Sequence, residues 1–176
     1  MQIAIVGRPN VGKSTLLNKI LGEERVLTGP EAGITRDAIT IDHVFKGKKI
    51  KLVDTAGMRR KANVQEKVEK LAVADTLRAI QYAHVVVLVI DAEQPLEKQE
   101  NTIASLVEQE GRAMVLAVNK WDLVADKPAY EKAIRQRLAT VLPQVKGVPM
   151  VAISAKDGEG IGKLLSTCFE VYKLWN

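Results

Sequence analysis

The 176-residue chain is poor in cysteine and contains no long hydrophobic run. Cys168 is its only cysteine, so no internal disulfide can form, and we interpret it as a small core residue of the last helix. The longest apolar run, from Val85 to Ile90, is far too short to cross a bilayer. Met1 leads directly into an apolar segment, which leaves no room for a signal peptide. We therefore expect a cytoplasmic protein without a membrane partner.

Aromatic residues are also scarce, at 4% of the chain. This scarcity argues against the interleaved aromatic and basic side chains of a single-strand nucleic-acid surface. The formal net charge of +5 permits a nucleic-acid partner, but a site for nucleotide phosphates accounts for this small excess equally well. The length and the 47% hydrophobic fraction favour one folded domain that spans residues 1–176.

The most informative motif runs from Gly7 to Ser14 and fits the P-loop pattern. An apolar run precedes it and apolar residues at helical spacing follow it, so the loop should join a strand (residues 2–6) to a helix (residues 13–21). Backbone N–H groups at such a helix N-terminus bind phosphate, Lys13 can reach the outer phosphates, and the Ser14 hydroxyl can ligate Mg²⁺. The alternative is a glycine-bearing turn with a surface lysine. The predicted phosphate-binding residues are Gly7, Arg8, Pro9, Asn10, Val11, Gly12, Lys13, Ser14 and Thr15.

Strand and helix patterns alternate along the rest of the chain. Continuous apolar runs at residues 85–90, 113–118 and 148–153 are typical of strands buried on both faces. Residues 39–45 and 50–53 flank a short turn and predict an antiparallel hairpin. We therefore predict an α/β fold with a mostly parallel six-stranded sheet, one antiparallel hairpin strand and helices on both faces. Ligands of such sheets bind beyond the carboxyl ends of the strands.

Two further segments offer groups for the phosphates and Mg²⁺. Asp54-Thr55-Ala56-Gly57 ends the third predicted strand. The Asp54 carboxylate can hold Mg²⁺ directly or through water, and Gly57 lets the backbone approach the terminal phosphate. Thr35 lies in the loop after the first helix, where its hydroxyl can complete the Mg²⁺ coordination while the γ-phosphate is present. The alternative for Thr35 is the stabilisation of a turn.

The base-selecting motifs follow the last two predicted strands. In Asn119-Lys120-Trp121-Asp122, the Asp122 carboxylate can accept two hydrogen bonds from guanine, a donor pair that adenine lacks. Asn119 can tie the neighbouring loops together, and the stem of Lys120 can lie along the base. Ser154-Ala155-Lys156 can present backbone N–H groups to the guanine oxygen. Alone, the first motif could be a solvated turn, but the four motifs in this order predict a guanine-nucleotide site.

Two residues near these motifs receive structural interpretations. Asp91 ends the fourth predicted strand without an evident partner in the sequence, and we interpret it as a turn cap rather than a metal ligand. Trp121 is interpreted as packing behind the base site.

The chain resembles the translation-factor-related GTPases of the Era/TrmE/Der group over essentially its whole length. GRPNVGKS, AGITRD, DTAGMRRK, VEK and NKWD resemble the second G domain of the Der family of bacterial ribosome-assembly proteins. One departure is Ile34, where a threonine commonly precedes the switch threonine. The resemblance implies a Ras-like G domain excised from a protein with tandem G domains. It also implies the large ribosomal subunit and its RNA, together with the sister domains, as partners.

The resemblance also implies a catalytic arrangement. Met58 stands after Gly57, where many small GTPases have a water-orienting glutamine. The family instead uses K⁺, held in part by the P-loop asparagine, here Asn10; the alternative is that Asn10 only shapes the loop. The implied catalytic residues are Lys13, Thr35, Asn10 and Gly57, and the metal ligands are Ser14, Thr35 and Asp54 for Mg²⁺ and Asn10 for K⁺.

The favoured function is a switch that hydrolyses GTP to GDP, slowly when alone and faster with K⁺. The alternative is a scaffold that binds GTP or GDP to order a protein or RNA surface, with turnover incidental. A P-loop kinase is disfavoured, because the motifs at Asn119 and Ser154 read a base and have no use in phosphorylating a second substrate.

Overall fold

The computed structural model describes residues 1–8, 11–22, 39–54, 73–94, 98–141 and 147–175. Six strands form one sheet in the order β2-β3-β1-β4-β5-β6. The strands are β1 (Gln2–Gly7), β2 (Ile39–Phe45), β3 (Lys48–Asp54), β4 (Val85–Asp91), β5 (Ala113–Asn119) and β6 (Met150–Ala152). β2 and β3 pair antiparallel, and the other neighbours pair parallel. The predicted hairpin and mostly parallel sheet are confirmed.

Helices cover both faces of this sheet. Those that the structure describes are α1 (Lys13–Leu21), α2 (Val73–Tyr82), α3 (Lys98–Gln109), α4 (Lys127–Val141) and α5 (Ile161–Trp175). Alternate residues of each strand point to opposite faces, so Ile3 and Ile5 of β1 join one apolar cluster, with α1 and α5. Ala4 and Val6 join the other, with α2, α3 and α4. The predicted α/β fold class is therefore confirmed.

The central strands are fully buried, as their sequences predict. Every residue of β4 and of β5 is buried, which fits strands that are covered on both faces. Cys168 is also fully buried in the cluster with α1 and α5, and burial raises the pKa of its thiol to about 12. Its interpretation as a core residue agrees with this environment. None of the helices within the described residues combines the length and the apolar sequence that a membrane span requires.

The last strand is shorter than predicted. The apolar run at residues 148–153 predicts six residues, but β6 comprises only Met150–Ala152. Pro149 has no N–H to donate to β5. The first hydrogen bond between this segment and β5 is therefore the one that the Pro149 carbonyl oxygen accepts from Leu116 N–H, at 2.9 Å. Beyond β6, Ile153 N–H still donates to Val118 O at 2.9 Å, so one ladder bond continues into the loop. The length of the apolar run therefore overestimates the length of β6, because Pro149 cannot continue the hydrogen bonding of the strand.

Candidate functional site

The predicted site segments lie at one edge of the sheet, because β1, β4 and β5 are parallel. Gly7, the last residue of β1, pairs with Val89 of β4, and Asp91, the last residue of β4, pairs with Asn119, the last residue of β5. Ser154 follows β6 at the same edge. The carboxyl ends of parallel strands are where α/β sheets bind ligands. The P-loop and the two base-selecting motifs are therefore neighbours in the fold.

The P-loop delivers the chain from β1 into α1. Gly12 caps α1 with a left-handed backbone (φ 102°), and Leu16 N–H donates to its carbonyl oxygen at 2.9 Å. The first turn of α1 carries no acidic residue, so the positive end of the helix dipole is not neutralised within its own helix. Lys13 Nζ donates to the Gly7 carbonyl oxygen at 2.6 Å, which holds the ammonium group across the loop. Ser14 is half-buried at the second position of the helix.

Asn119 joins the P-loop to the loop after β6. Its side chain is buried; Nδ2 donates to the Val11 carbonyl oxygen at 2.8 Å, and Oδ1 accepts from Ala155 N–H at 2.9 Å. Both ends of the amide are therefore used, one on each loop. The expectation that Asn119 ties neighbouring loops together agrees with this geometry. We call these two hydrogen bonds the Asn119 clamp.

Gly12 is required for this close approach. A Cβ atom built on Gly12 would collide with Nδ2 of Asn119, and its φ of 102° is a conformation that side chains with a Cβ rarely adopt. A larger residue would therefore separate the P-loop from Asn119. This explains why the P-loop pattern needs a glycine before Lys13 in this fold.

The base loop begins at Lys120, which also has a left-handed backbone (φ 69°) although it is not a glycine. Its Nζ donates to Asp91 Oδ2 at 2.8 Å. A short 3₁₀ helix, Trp121–Leu123, follows, and Trp121 N–H donates to Ile153 O at 3.1 Å. Asp122 is exposed, as a residue that meets a ligand can be.

Trp121 and Tyr130 support this loop from behind. Their rings meet edge to face with centroids 5.4 Å apart, which agrees with the packing role expected of Trp121. The Tyr130 hydroxyl donates to the Ala92 carbonyl oxygen at 2.8 Å. Burial, and then the charge of Asp91, raise the pKa of Tyr130, which favours the protonated hydroxyl that donates this bond.

The loop after β6 is closed by its own hydrogen bonds. Ser154 and Ala155 are buried, and Ser154 N–H donates to Glu159 O at 2.9 Å. Since Ala155 N–H belongs to the Asn119 clamp, two of the three N–H groups expected to face guanine already donate within the protein. Lys156 N–H has no such partner among the described residues. The assignment of these three N–H groups to the guanine oxygen stays a prediction. Lys156 is exposed at the tip of the loop.

Sequence reasoning missed two ion pairs at this edge. Arg8 Nε lies 2.5 Å from Oε2 of the fully buried Glu100, and Arg8 Nη2 donates to the Gln94 carbonyl oxygen at 2.5 Å. The other pair is Asp91–Lys120, which supplies the partner that Asp91 lacked in the sequence. The turn-cap interpretation agrees with the second contact of Asp91, whose Oδ1 accepts from Glu93 N–H at 2.8 Å.

The helical spacing of apolar residues in α3 indicated that Glu100 is buried. Ile103, Ala104 and Val107 form the buried stripe of α3, and Glu100 precedes them at helical spacing, so it had to lie on the buried face. A carboxylate on such a face needs a cationic partner.

Several predicted residues lie outside the part of the chain that the structure describes. These are Pro9, Asn10, Thr35, Thr55, Ala56 and Gly57, and the side chain of Asp54, whose backbone ends β3. Their assignments to phosphate, Mg²⁺ and K⁺ stay predictions. Thr15 is exposed in the first turn of α1.

The fold and the Asn119 clamp define a P-loop G domain, in which one buried asparagine joins the P-loop to the loop after β6. Residues 2–120 match the family model described as 50S ribosome-binding GTPase, and the chain belongs to that family. The predicted resemblance to G domains of Der is also confirmed. The chain is 55% identical over 176 residues to GTPase Der of Parvibaculum lavamentivorans and 57% identical over 176 residues to that of Brucella melitensis. Those matches cover all of this chain but only 37% and 36% of the two relatives.

Solved structures of low sequence identity share the fold. Era in complex with MgGDPNP and a segment of 16S ribosomal RNA superposes with a TM-score of 0.73 at 24% identity, over 97% of this chain and 56% of Era. A probable GTP-binding protein, EngB, gives a TM-score of 0.63 at 20% identity, over 99% of both chains. The chain thus spans about a third of its Der relatives and nearly all of the probable GTP-binding protein EngB.

Proposed function

We propose that this chain binds GTP with Mg²⁺ and hydrolyses it to GDP and phosphate, as one domain of a longer protein. The observation that carries the proposal is the Asn119 clamp, with Nδ2 on the Val11 carbonyl and Oδ1 on Ala155 N–H. The phosphates and the base of a nucleotide bind to different loops. The side-chain amide of Asn119 fixes the distance between the P-loop and the loop after β6. Membership of the 50S ribosome-binding GTPase family supports the same reaction.

The phosphate end of the site suits a polyphosphate. The N-terminus of α1 offers backbone N–H groups without a nearby carboxylate on the helix, and Lys13 places its ammonium group across the loop. Ser14 is proposed as an Mg²⁺ ligand, together with Thr35 and Asp54. Mg²⁺ bound there would neutralise charge on the phosphates. Gly57 is proposed to let the backbone approach the terminal phosphate.

The base end of the site suits guanine. Asp122 lies in a short helix whose start is fixed by Trp121 N–H on Ile153 O, so its carboxylate is exposed on a supported loop. A carboxylate accepts both hydrogen bonds that guanine donates from one edge. The stem of Lys120, held at its end by Asp91, is proposed to lie along the base.

Hydrolysis is proposed to depend on K⁺, with Asn10 as one of its ligands. Met58 offers no polar group to orient water, so the charge that spreads over the γ-phosphate oxygens needs another cation. We expect GTP hydrolysis by the isolated domain to be about tenfold faster in K⁺ than in Na⁺ at equal ionic strength and saturating Mg²⁺. We expect this gain from K⁺ to be smaller than the ~10³–10⁵ that an arginine finger contributes to the hydrolysis rate. Phosphate release under single-turnover conditions measures the effect.

Asn10→Ala provides the test of the ligand assignment. The variant should lose most of the K⁺ preference and keep its affinity for GDP, because GDP lacks the γ-phosphate whose developing charge K⁺ would stabilise. Equal rates in K⁺ and Na⁺ for the unmodified domain would contradict the mechanism. Binding of GTP with no measurable turnover in either salt would instead support the scaffold function, in which the nucleotide only orders a surface.

We further propose the large ribosomal subunit as the partner of the longer protein, with its sister domains beside this one, and hence a cytoplasmic location. The description of the matching family, 50S ribosome-binding GTPase, supports this partner. In the presence of a non-hydrolysable GTP analogue, the longer protein should pellet with 50S subunits several-fold more than it does with GDP. Equal pelleting with both nucleotides would contradict a switch at this partner.

A further inference from the structure

Asp91 uses both carboxylate oxygens at the edge of the nucleotide site. Oδ2 accepts from Lys120 Nζ and Oδ1 accepts from Glu93 N–H, each at 2.8 Å. Only 12% of the Asp91 side chain is exposed, so water competes little for these bonds. The backbone beside it is fixed as well, because Ala92 N–H donates to Asn119 O at 3.0 Å. Asp91 is therefore a rigid anion placed beside the base loop.

The carboxylate of Asp91 stabilises the conformation of Lys120. Its left-handed backbone (φ 69°) is unfavourable for a residue with a Cβ atom, and it turns the chain from β5 into the helix that carries Asp122. Its side chain keeps 34% of its surface exposed, so without Asp91 the ammonium group could swing into solvent. The ion pair with Asp91 restricts the Lys120 side chain to one orientation and stabilises the left-handed conformation of its backbone.

We propose that Asp91 is a positioning residue for nucleotide binding. By holding the Lys120 ammonium group, it fixes the lysine stem against the guanine base and so slows nucleotide dissociation. The proposal rests on the proposed function, since it assumes that this site binds guanine nucleotides. Asp91 itself has no direct role in base choice, which belongs to Asp122.

The test compares Asp91→Asn with the unmodified chain. Asparagine keeps an oxygen for Glu93 N–H, and so the turn, but removes the negative charge opposite Lys120. We expect the dissociation rate of a fluorescent GDP to rise about tenfold, within the range of coupling found for contacting charged groups. The ratio of GDP to XDP affinity should stay within about threefold. Glu131→Gln serves as the matched control, because Glu131 pairs with Arg135 on the exposed surface of α4, and its GDP dissociation rate should not change.

A double-mutant cycle with Lys120→Met separates positioning from a general structural role. In the Lys120→Met background, Asp91→Asn should change the GDP dissociation rate by less than about twofold, because no ammonium group remains to be held. The same tenfold change in both backgrounds, or no change in either, would overturn the proposal. If the unmodified chain bound no guanine nucleotide, the proposed function would fail first. If it bound GDP and Asp91→Asn had no effect, only the positioning role would fail.

Discussion

Replacing Asp122 with asparagine should weaken GDP binding by roughly 10⁴-fold and improve XDP binding. An asparagine offers one acceptor and one donor where aspartate offers two acceptors, so one guanine donor faces an amide N–H. Sites built around buried hydrogen bonds reject mismatched ligands by about this factor. Xanthine carries a carbonyl where guanine has its amine, and that carbonyl would accept from the new amide. Competition of GDP and XDP against a fluorescent nucleotide measures both affinities.

Asp126→Asn is the matched control for this exchange. Asp126 is exposed four residues further on, and its Oδ1 accepts from Ala129 N–H at 3.1 Å at the start of α4. Asparagine also caps helices well, so this variant makes the same charge change without disturbing the fold. Its preference for GDP over XDP should match that of the unmodified chain. Unaltered GDP affinity in Asp122→Asn would show that guanine is read elsewhere.

The parts of the site that consist of residues close together in the chain could be predicted from the sequence. A P-loop between a strand and a helix, and polar motifs after successive buried strands, are local features, and the parallel sheet then brings them to one edge. The role of Asn119 followed from that placement alone. Its two hydrogen bonds, to Val11 and Ala155, agree with the expectation that Asn119 ties neighbouring loops together.

The ion pairs could not be predicted in the same way. Arg8 and Glu100 are 92 residues apart, and Asp91 and Lys120 are 29 apart, so no local spacing records which groups meet. The helical pattern indicated that Glu100 is buried, but its partner depends on how α3 sits against the end of β1. Such pairs follow from packing between elements, which sequence periodicity does not specify.

The contact between Arg8 and Glu100 carries the largest expected effect on stability. Glu100 is fully buried and only 14% of the Arg8 side chain is exposed, so removing Glu100 leaves an arginine charge that water reaches poorly. Glu100→Ala should therefore lower the free energy of unfolding by about 3–5 kcal/mol. For a domain of this size, that corresponds to a decrease in Tm of roughly 6–20 °C. Urea unfolding and thermal melts of the nucleotide-free chain measure the two quantities.

Two variants show whether the loss comes from the isolated charge. The double substitution Arg8→Met with Glu100→Leu removes both charges and keeps most of the volume, and it should recover most of the lost stability, because an apolar pair is often as stable as a buried ion pair. Glu131→Ala breaks an exposed pair on α4, with half of each side chain in solvent, and should cost less than about 1 kcal/mol. A Glu100→Ala variant no less stable than Glu131→Ala would contradict a structural role for the pair. If the double variant were stable but bound GDP poorly, Arg8 would be needed to hold the P-loop in the shape that phosphate requires.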